Sequence, residues 1–469
     1  MKRLFKSAFR NLPINQFLES NSISGYLNKT VKLTLALGLF TFVGCSTRTN
    51  DLTGVEGRNL WFHPVPYGTV YVPSGTYHSG QSDQDIFQTF VTPNKQVSIV
   101  AFWMDETEIT NNEYRQFVNF VVDSIMRSKV DNDDLFIVND EEDTRYIDYE
   151  QDFEPTPAQM QEELADMYYK KEDRFRGKKQ LDVNILKYKY EWFDMVYAAN
   201  DVDNRDKYQP GRVSNRGNKY IKREETLVYP DTLCWIRDFT YSYNDPMARH
   251  YFNHVKYDDY PVVGVNWHQA VAFCNWRTIY KNTYWEQLEE PLTEDFRLPT
   301  EFEWEYAARG TRNASMYPWG GPYTRNSKGC MLANFKPLRG NYGADGGIYT
   351  VRADSYFPND YGLYNMAGNV AEWTINAWSE SSNVFTHDLN PDYRISVPEY
   401  VKSKEGEYVG PENSPMTLKR KVIRGGSWKD VAYFIQNGAR TYEFQDTAKS
   451  YIGFRCVQTY IGRSNKDRK

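Results

Sequence analysis

One stretch restricts the folds open to this chain more than any other: Arg297-Leu298-Pro299-Thr300-Glu301-Phe302-Glu303-Trp304-Glu305-Tyr306-Ala307-Ala308-Arg309. Thr300 reads as a helix N-cap with Glu303 three residues on. That is a capping box, worth roughly 1 kcal/mol, which fixes where the helix begins. Trp304, Ala307 and Ala308 then fall on one face, so a large ring packs beside two small residues. Glu301 and Glu303 belong to the helix start, where the helix dipole favours negative charge. They are not read as an acid–base pair.

Similar local readings recur along the chain. Val70 to Tyr77 alternates apolar residues around Pro73-Ser74-Gly75 and predicts strand, turn, strand. Phe102-Trp103-Met104-Asp105-Glu106-Thr107-Glu108-Ile109-Thr110-Asn111 leads into a helix capped by Thr110 or Asn111, which buries Tyr114, Phe117 and Val118. Pro261-Val262-Val263-Gly264-Val265-Asn266-Trp267 enters a second helix with Ala270, Phe273 and Cys274 on one face. Tyr361-Gly362-Leu363-Tyr364-Asn365-Met366-Ala367-Gly368-Asn369-Val370-Ala371-Glu372-Trp373, then Val422-Ile423-Arg424-Gly425-Gly426-Ser427-Trp428 and Ile452-Gly453-Phe454-Arg455, complete the series. Aromatic residues make up 16% of the chain, a level that suits a loop-rich core.

These motifs, in this order, resemble the formylglycine-generating (sulfatase-modifying factor) family. The resemblance implies a compact, loop-rich α+β fold related to C-type lectins. It covers residues 67–460 in two blocks, about Tyr67 to Val118 and about Tyr260 to Tyr460, with an insertion at 121–259. In enzymes of this family, one cysteine follows the Gly-Gly-Ser motif and a second lies five residues on; together they hold copper(I) and carry the oxidation. Here those positions are Asp430 and Ile435. A carboxylate and an alkyl group cannot replace soft thiolates. The resemblance therefore implies the scaffold without copper and without the chemistry. It also implies structural Ca²⁺. One site maps to the Asn365 and Glu372 side chains with the Gly368 and Val370 carbonyls. A second maps to Asn334 and Asp345 with the carbonyls of Phe335 and Gly347. Ca²⁺ takes six to eight hard oxygens, and such turns supply them. The alternative at the first site is that these groups only satisfy turn hydrogen bonds.

The insertion is too long for an ordinary loop. Its charge is segregated: Asp131 to Ala165 is acidic with Arg145 as the one basic residue, whereas Tyr169 to Tyr190 holds eight Lys and Arg against three acidic residues. Part of the second stretch reads as a polar helix. The halves either pair with each other or form a surface for neighbouring subunits.

Near the start, Lys29 and Lys32 lie at the head of the apolar run Val31 to Val43, followed by Gly44-Cys45-Ser46. Thirteen residues are too few to span a bilayer as a helix, which needs about 20. They fit a signal peptide over 1–44. The small residue before cysteine resembles a lipobox, which makes Cys45 the lipidated first residue of a linker over 45–66. A basic tail follows at 461–469. The expected location is the periplasmic face of the outer membrane. Four further cysteines, Cys234, Cys274, Cys330 and Cys456, lack metal-ligand spacing, and a disulfide among them stays unassigned. A pI of 5.7 and net charge of −6 give no electrostatic case for nucleic acid.

Lipid anchor, insertion and lost thiols together resemble the outer-membrane lipoproteins of the type IX secretion and gliding-motility machinery. That resemblance implies a noncatalytic ring component. Its partners would be copies of itself, the periplasmic N protein and the motor shaft protein of that system. The alternatives are a formylglycine-type oxidase and a paralogous J-type gliding lipoprotein.

Overall fold

The structure is a computed structural model and describes residues 63–462, apart from 82–92, 131, 140–143, 150, 201–219, 242, 338–340, 396–400, 403–407 and 410–415. The apolar run, Cys45, the linker up to residue 62 and tail residues 463–469 lie outside the described residues. Among the described residues, no helix is long and apolar enough to cross a membrane.

In chain order the strands are β1 (Thr69–Val72), β2 (Gly75–Ser79), β3 (Lys95–Ile99), β4 (Phe102–Asp105), β5 (Phe136–Asn139), β6 (Thr144–Ile147), β7 (Lys187–Phe193) and β8 (Ile221–Leu227). They continue as β9 (Phe296–Arg297), β10 (Ala371–Ala377), β11 (Val401–Lys402), β12 (Tyr408–Val409), β13 (Arg420–Arg424), β14 (Thr441–Phe444), β15 (Ile452–Gly453) and β16 (Val457–Thr459). Three longer helices are α1 (Asn111–Lys129), α2 (Trp267–Gln287) and α3 (Glu301–Arg309). An antiparallel sheet of order β1-β4-β16-β9 ties the first residues of the fold to its last. A second sheet, β14-β13-β10-β15, is antiparallel except for β10 beside β15. The chain crosses from the second sheet to the first through Phe454, Arg455 and Cys456. Gly453 sits at the start of that crossing because a Cβ there would come 2.8 Å from the Val262 carbonyl oxygen.

The helix starts follow the sequence reading. Thr110 caps α1 in a full capping box with Glu113, and Thr300 does the same for α3 with Glu303. Tyr114, Phe117, Val118, Ala270, Phe273, Cys274, Trp304, Ala307 and Ala308 are all buried. Three readings differ. β1 and β2 do flank Pro73-Ser74, but they pair with β4 and β3 rather than with each other. The stretch around Tyr169–Tyr190 holds no α-helix, only single 3₁₀ turns at Lys171–Asp173, Phe175–Gly177 and Val183–Ile185. It forms short turns and then β7, because Lys187-Tyr188-Lys189-Tyr190 alternates with the period of a strand.

The third difference concerns the inserted segment. Its later part is built into the core. Leu186, Tyr190, Val228 and Phe252 are buried with Tyr114, Phe273 and Trp373. Tyr114 donates to the Val228 carbonyl at 2.9 Å, and Gln269 Nε2 donates to the Leu227 and Tyr229 carbonyls. Val130, Leu164 and Met167 instead centre a satellite core on α1, packed with Val122, Ile125, Met126 and Leu181.

Candidate functional site

The Gly-Gly-Ser segment and the Asn365–Glu372 segment are laced together. Gly368 donates its backbone N–H to the Gly425 carbonyl at 2.9 Å, and Trp428 donates to the Asn369 carbonyl at 2.9 Å. Gly425 and Gly426 have φ of 89° and 64°. A Cβ on Gly426 would lie 2.7 Å from the Phe434 carbonyl oxygen and 2.8 Å from Ile435 Cγ2, so glycine is required by both conformation and space.

Asp430 turns back on this bend. Its Oδ2 accepts from the Ser427 N–H at 3.0 Å and from the Ser427 hydroxyl at 2.6 Å. Ile435 is fully buried, against Tyr317, Ala333, Phe335 and Ala367. The carboxylate is thus a turn clamp and the alkyl group a core residue. Neither position offers sulfur, so the donor set does not fit copper(I). Cys274 and Cys456 lie elsewhere in the core with their Sγ atoms 3.3 Å apart. Among the described residues, no three His, Cys, Asp or Glu side chains gather into a metal site.

The residues of the first calcium assignment are close in the fold but differently engaged. Glu372 is fully buried and forms a two-point pair with Arg455: Oε1 meets Nη2 and Oε2 meets Nε, both at 2.7 Å. Trp304 Nε1 donates to the same Oε2 at 2.7 Å. Asn365 faces another carboxylate, Glu108, through Nδ2 at 3.0 Å, while its buried Oδ1 has no hydrogen-bond partner. The unpaired Oδ1 suits a cation; Glu372, already neutralised by Arg455, does not. The four residues fit Ca²⁺ poorly as a set. Gly368 has φ of 79°, and a Cβ there would fall 2.2 Å from the Asn334 carbonyl oxygen, so both conformation and space require glycine.

Those of the second assignment converge. Asp345 accepts from the Phe335 N–H at 2.8 Å and the Gly347 N–H at 3.2 Å. Asn334 Oδ1 lies 3.4 Å from where a Gly347 Cβ would be. Burial pushes the Asp345 carboxyl above the usual carboxylate range. The structure thus brings Asp345 and Asn334 Oδ1 beside Phe335 and Gly347, and carboxylate and amide oxygens are donors of the kind Ca²⁺ takes.

Sequence reasoning missed Glu108, which is fully buried and also accepts from Asn369 Nδ2 at 3.0 Å. Burial pushes its carboxyl up to about 8, against the pull of Arg455 and the two amides. It missed equally that the three glutamates of α3 each meet arginine. Glu301 takes Arg440, Glu303 takes Arg297 across 2.6 and 2.7 Å, and Glu305 takes Arg309 at 2.7 Å together with Arg424. Burial would raise Glu305, but Arg309 and Arg424 hold it below the usual range. The signal was present: Arg297, Arg309, Arg424 and Arg455 all sit inside the motifs.

A family model described as sulfatase-modifying factor enzyme 1-like domain matches residues 63–460. The chain belongs to that family. The formylglycine-generating enzyme of Bos taurus is 25% identical over 403 residues, which are 84% of this chain and 76% of the relative. That of Thermomonospora curvata is 32% identical over 203 residues, 42% of this chain and 55% of the relative. The family also holds proteins named as inactive. The inactive C-alpha-formylglycine-generating enzyme 2 of Bos taurus is 31% identical over 208 residues, 42% of this chain and 50% of its own length. The structure of PvdO from Pseudomonas aeruginosa aligns over 83% of this chain and 94% of its own, at 16% identity and a TM-score of 0.41. Family membership alone therefore leaves both active and inactive members as precedents.

Proposed function

We propose that this chain is a noncatalytic structural lipoprotein of the type IX secretion and gliding-motility apparatus, of the K type, anchored through Cys45 at the periplasmic face of the outer membrane. One observation carries the noncatalytic part. The two positions that bear thiols in enzymes of the family hold Asp430, spent on clamping Ser427, and Ile435, sealed in the core. The secretion-system part is supported by the resemblance of Gly80-Gln81-Ser82-Asp83-Gln84-Asp85 and of Thr107 to Phe117 to that lipoprotein, and by the inserted segment. Its partners in this reading are copies of itself in a ring, the periplasmic N protein and the motor shaft protein. A calcium ion at Asn334, Phe335, Asp345 and Gly347 would be structural, fastening loops between the two sheets.

The test has two arms. Purified protein incubated with Cu(I) and a cysteine-containing peptide should bind no stoichiometric copper and form no aldehyde. Turnover above a protein-free control would instead establish the oxidase reading. Gentle detergent extraction followed by mass spectrometry should recover the N protein. Extraction of a monomer without it would defeat the ring assignment and leave the J-type paralogue as the next reading.

A further inference from the structure

The satellite core on α1 carries two surfaces of opposite charge that do not neutralise each other. The first is the loop from Tyr168 to Leu181. Its base is closed: Tyr168 and Leu181 form an antiparallel bridge, Tyr169 donates to the Gln180 carbonyl at 3.0 Å, and Asp182 donates to the Met167 carbonyl at 2.8 Å. Met167 is fully buried beneath it, so the loop stands on a fixed stem. Arg176 and Gly177, with φ of 52° and 66°, reverse the chain at the tip and leave Phe175 66% exposed. Lys170, Lys171, Arg174, Arg176, Lys178 and Lys179 flank it in sequence against Glu172 and Asp173, and the Arg176 guanidinium lies 5.1 Å from its ring. Arg174 and Lys179 are turned to backbone carbonyls. Lys170, Lys171, Arg176 and Lys178 form no ion pair with a described residue.

The second surface is acidic. Asp152, Glu154, Glu162 and Asp166 are exposed around half-buried Phe153 and Met160, and they too form no ion pair with a described residue. Both surfaces are rooted in the same small core through Leu164, Met167 and Leu181. Lys179 Nζ donates to the Met160 carbonyl at 3.0 Å, so the base of the loop rests beside the acidic surface, yet Lys170, Lys171, Arg176 and Lys178 pair with none of its described carboxylates and stay open to a complement on another molecule.

We propose that the basic Tyr168–Leu181 loop of one copy docks on the Asp152–Asp166 surface of a second copy, with Phe175 as the apolar centre of the contact. The argument is charge complementarity within one sequence. An aromatic anchor flanked by cations fits an acidic surface with apolar residues between its carboxylates. In the ring reading the loop of each copy engages the acidic surface of the next, a head-to-tail contact of the kind that generates rings or filaments. This rests on the self-assembling reading above and names the surface that carries it.

The experiment uses the detergent-extracted full chain in analytical ultracentrifugation at about 0.1 M and 1 M salt, between which the Debye length falls from about 10 to 3 Å. Wild type should associate at the lower salt and weaken at the higher. A variant with Lys170→Glu, Lys171→Glu, Arg176→Glu and Lys178→Glu should associate at least tenfold more weakly with an unchanged melting temperature. Phe175→Ser should do the same without altering charge. Mixing the reversed loop with a variant carrying Asp152→Lys, Glu154→Lys, Glu162→Lys and Asp166→Lys should restore association that neither shows alone. Wild-type assembly by a folded loop-reversed variant overturns this contact and leaves the ring reading intact. A wild type that is monomeric at both salts overturns the ring reading itself, and the contact with it. Loss of binding to phosphatidylglycerol vesicles by the loop-reversed variant, with assembly unchanged, would assign the loop to a lipid surface and also overturn the contact.

Discussion

Replacing Glu372 by glutamine removes one charge from a pair whose two side chains are both 0% exposed. Glutamine keeps an oxygen for Trp304 Nε1, so that 2.7 Å contact survives. What is lost is the charge facing Arg455, and the new amide N–H₂ takes the Oε1 position, where it meets the Arg455 Nη2 donor now 2.7 Å away. Breaking a buried pair from one side costs about 3–5 kcal/mol, because the remaining charge stays desolvated. Losing the Glu372 charge removes one of the pushes that hold Glu108 near 8, so Glu108 ionises more readily and faces Arg455 in its place, which puts the expected loss near the lower end, about 3 kcal/mol. With a urea m value of about 3 kcal/mol/M, the midpoint falls by about 1 M at unchanged m. Arg455→Met should cost a similar amount, and the double variant should cost clearly less than the sum of the two. A loss under about 1 kcal/mol, or strict additivity, would refute the reasoning. So would a loss seen with calcium and abolished by chelator, since Glu372 would then spend its charge on the metal.

Gly426→Ala should destabilise by about 2–5 kcal/mol, from left-handed strain plus overpacking, whereas Gly68→Ala, also at positive φ but with nothing within 4 Å of its Cβ, should cost much less; equal midpoints in urea would refute the packing argument. His268 lies 3.4 Å from Asp446 and 3.9 Å from Glu224. Burial would lower its pKa, but those carboxylates raise it, while Asp446 and Glu224 are lowered. The histidine's contribution is complete below its unfolded value, about 6.5, and fades as pH rises through the higher folded value. The carboxylates' contribution fades as pH falls through their lowered values. The cluster is therefore most stabilising between about pH 5 and 6.5. With His268 29% exposed, screening keeps its part to about 1 kcal/mol or less, so His268→Gln should flatten the urea midpoint between pH 6 and 9, and an unchanged slope would count against the cluster. Cys274 and Cys456 should join on oxidation, with about 2–4 kcal/mol gained; non-reducing peptide mapping that finds both thiols alkylatable after unfolding the oxidised protein would disprove it.

The sequence by itself determined the local frame. Thr110, Asn266 and Thr300 fix three helix starts through hydrogen bonds within three residues, and such short-range geometry is written in residue spacing. It also determined the replacement of thiols at Asp430 and Ile435, since a residue's chemistry does not depend on its surroundings being known. Tertiary structure alone decided partners across long separations. Glu372 and Arg455 are 83 residues apart, and Asn365 and Glu108 are 257 apart. Nothing in the spacing of Asn365 and Glu372 reveals that one carboxylate turns to an arginine while the amide turns to Glu108. The same limit hid the role of the inserted segment. Its charge pattern pointed to halves that pair with each other or face neighbouring subunits, and not to Tyr190, Val228 and Phe252 closing the main core, because burial is settled by what the rest of the chain leaves uncovered.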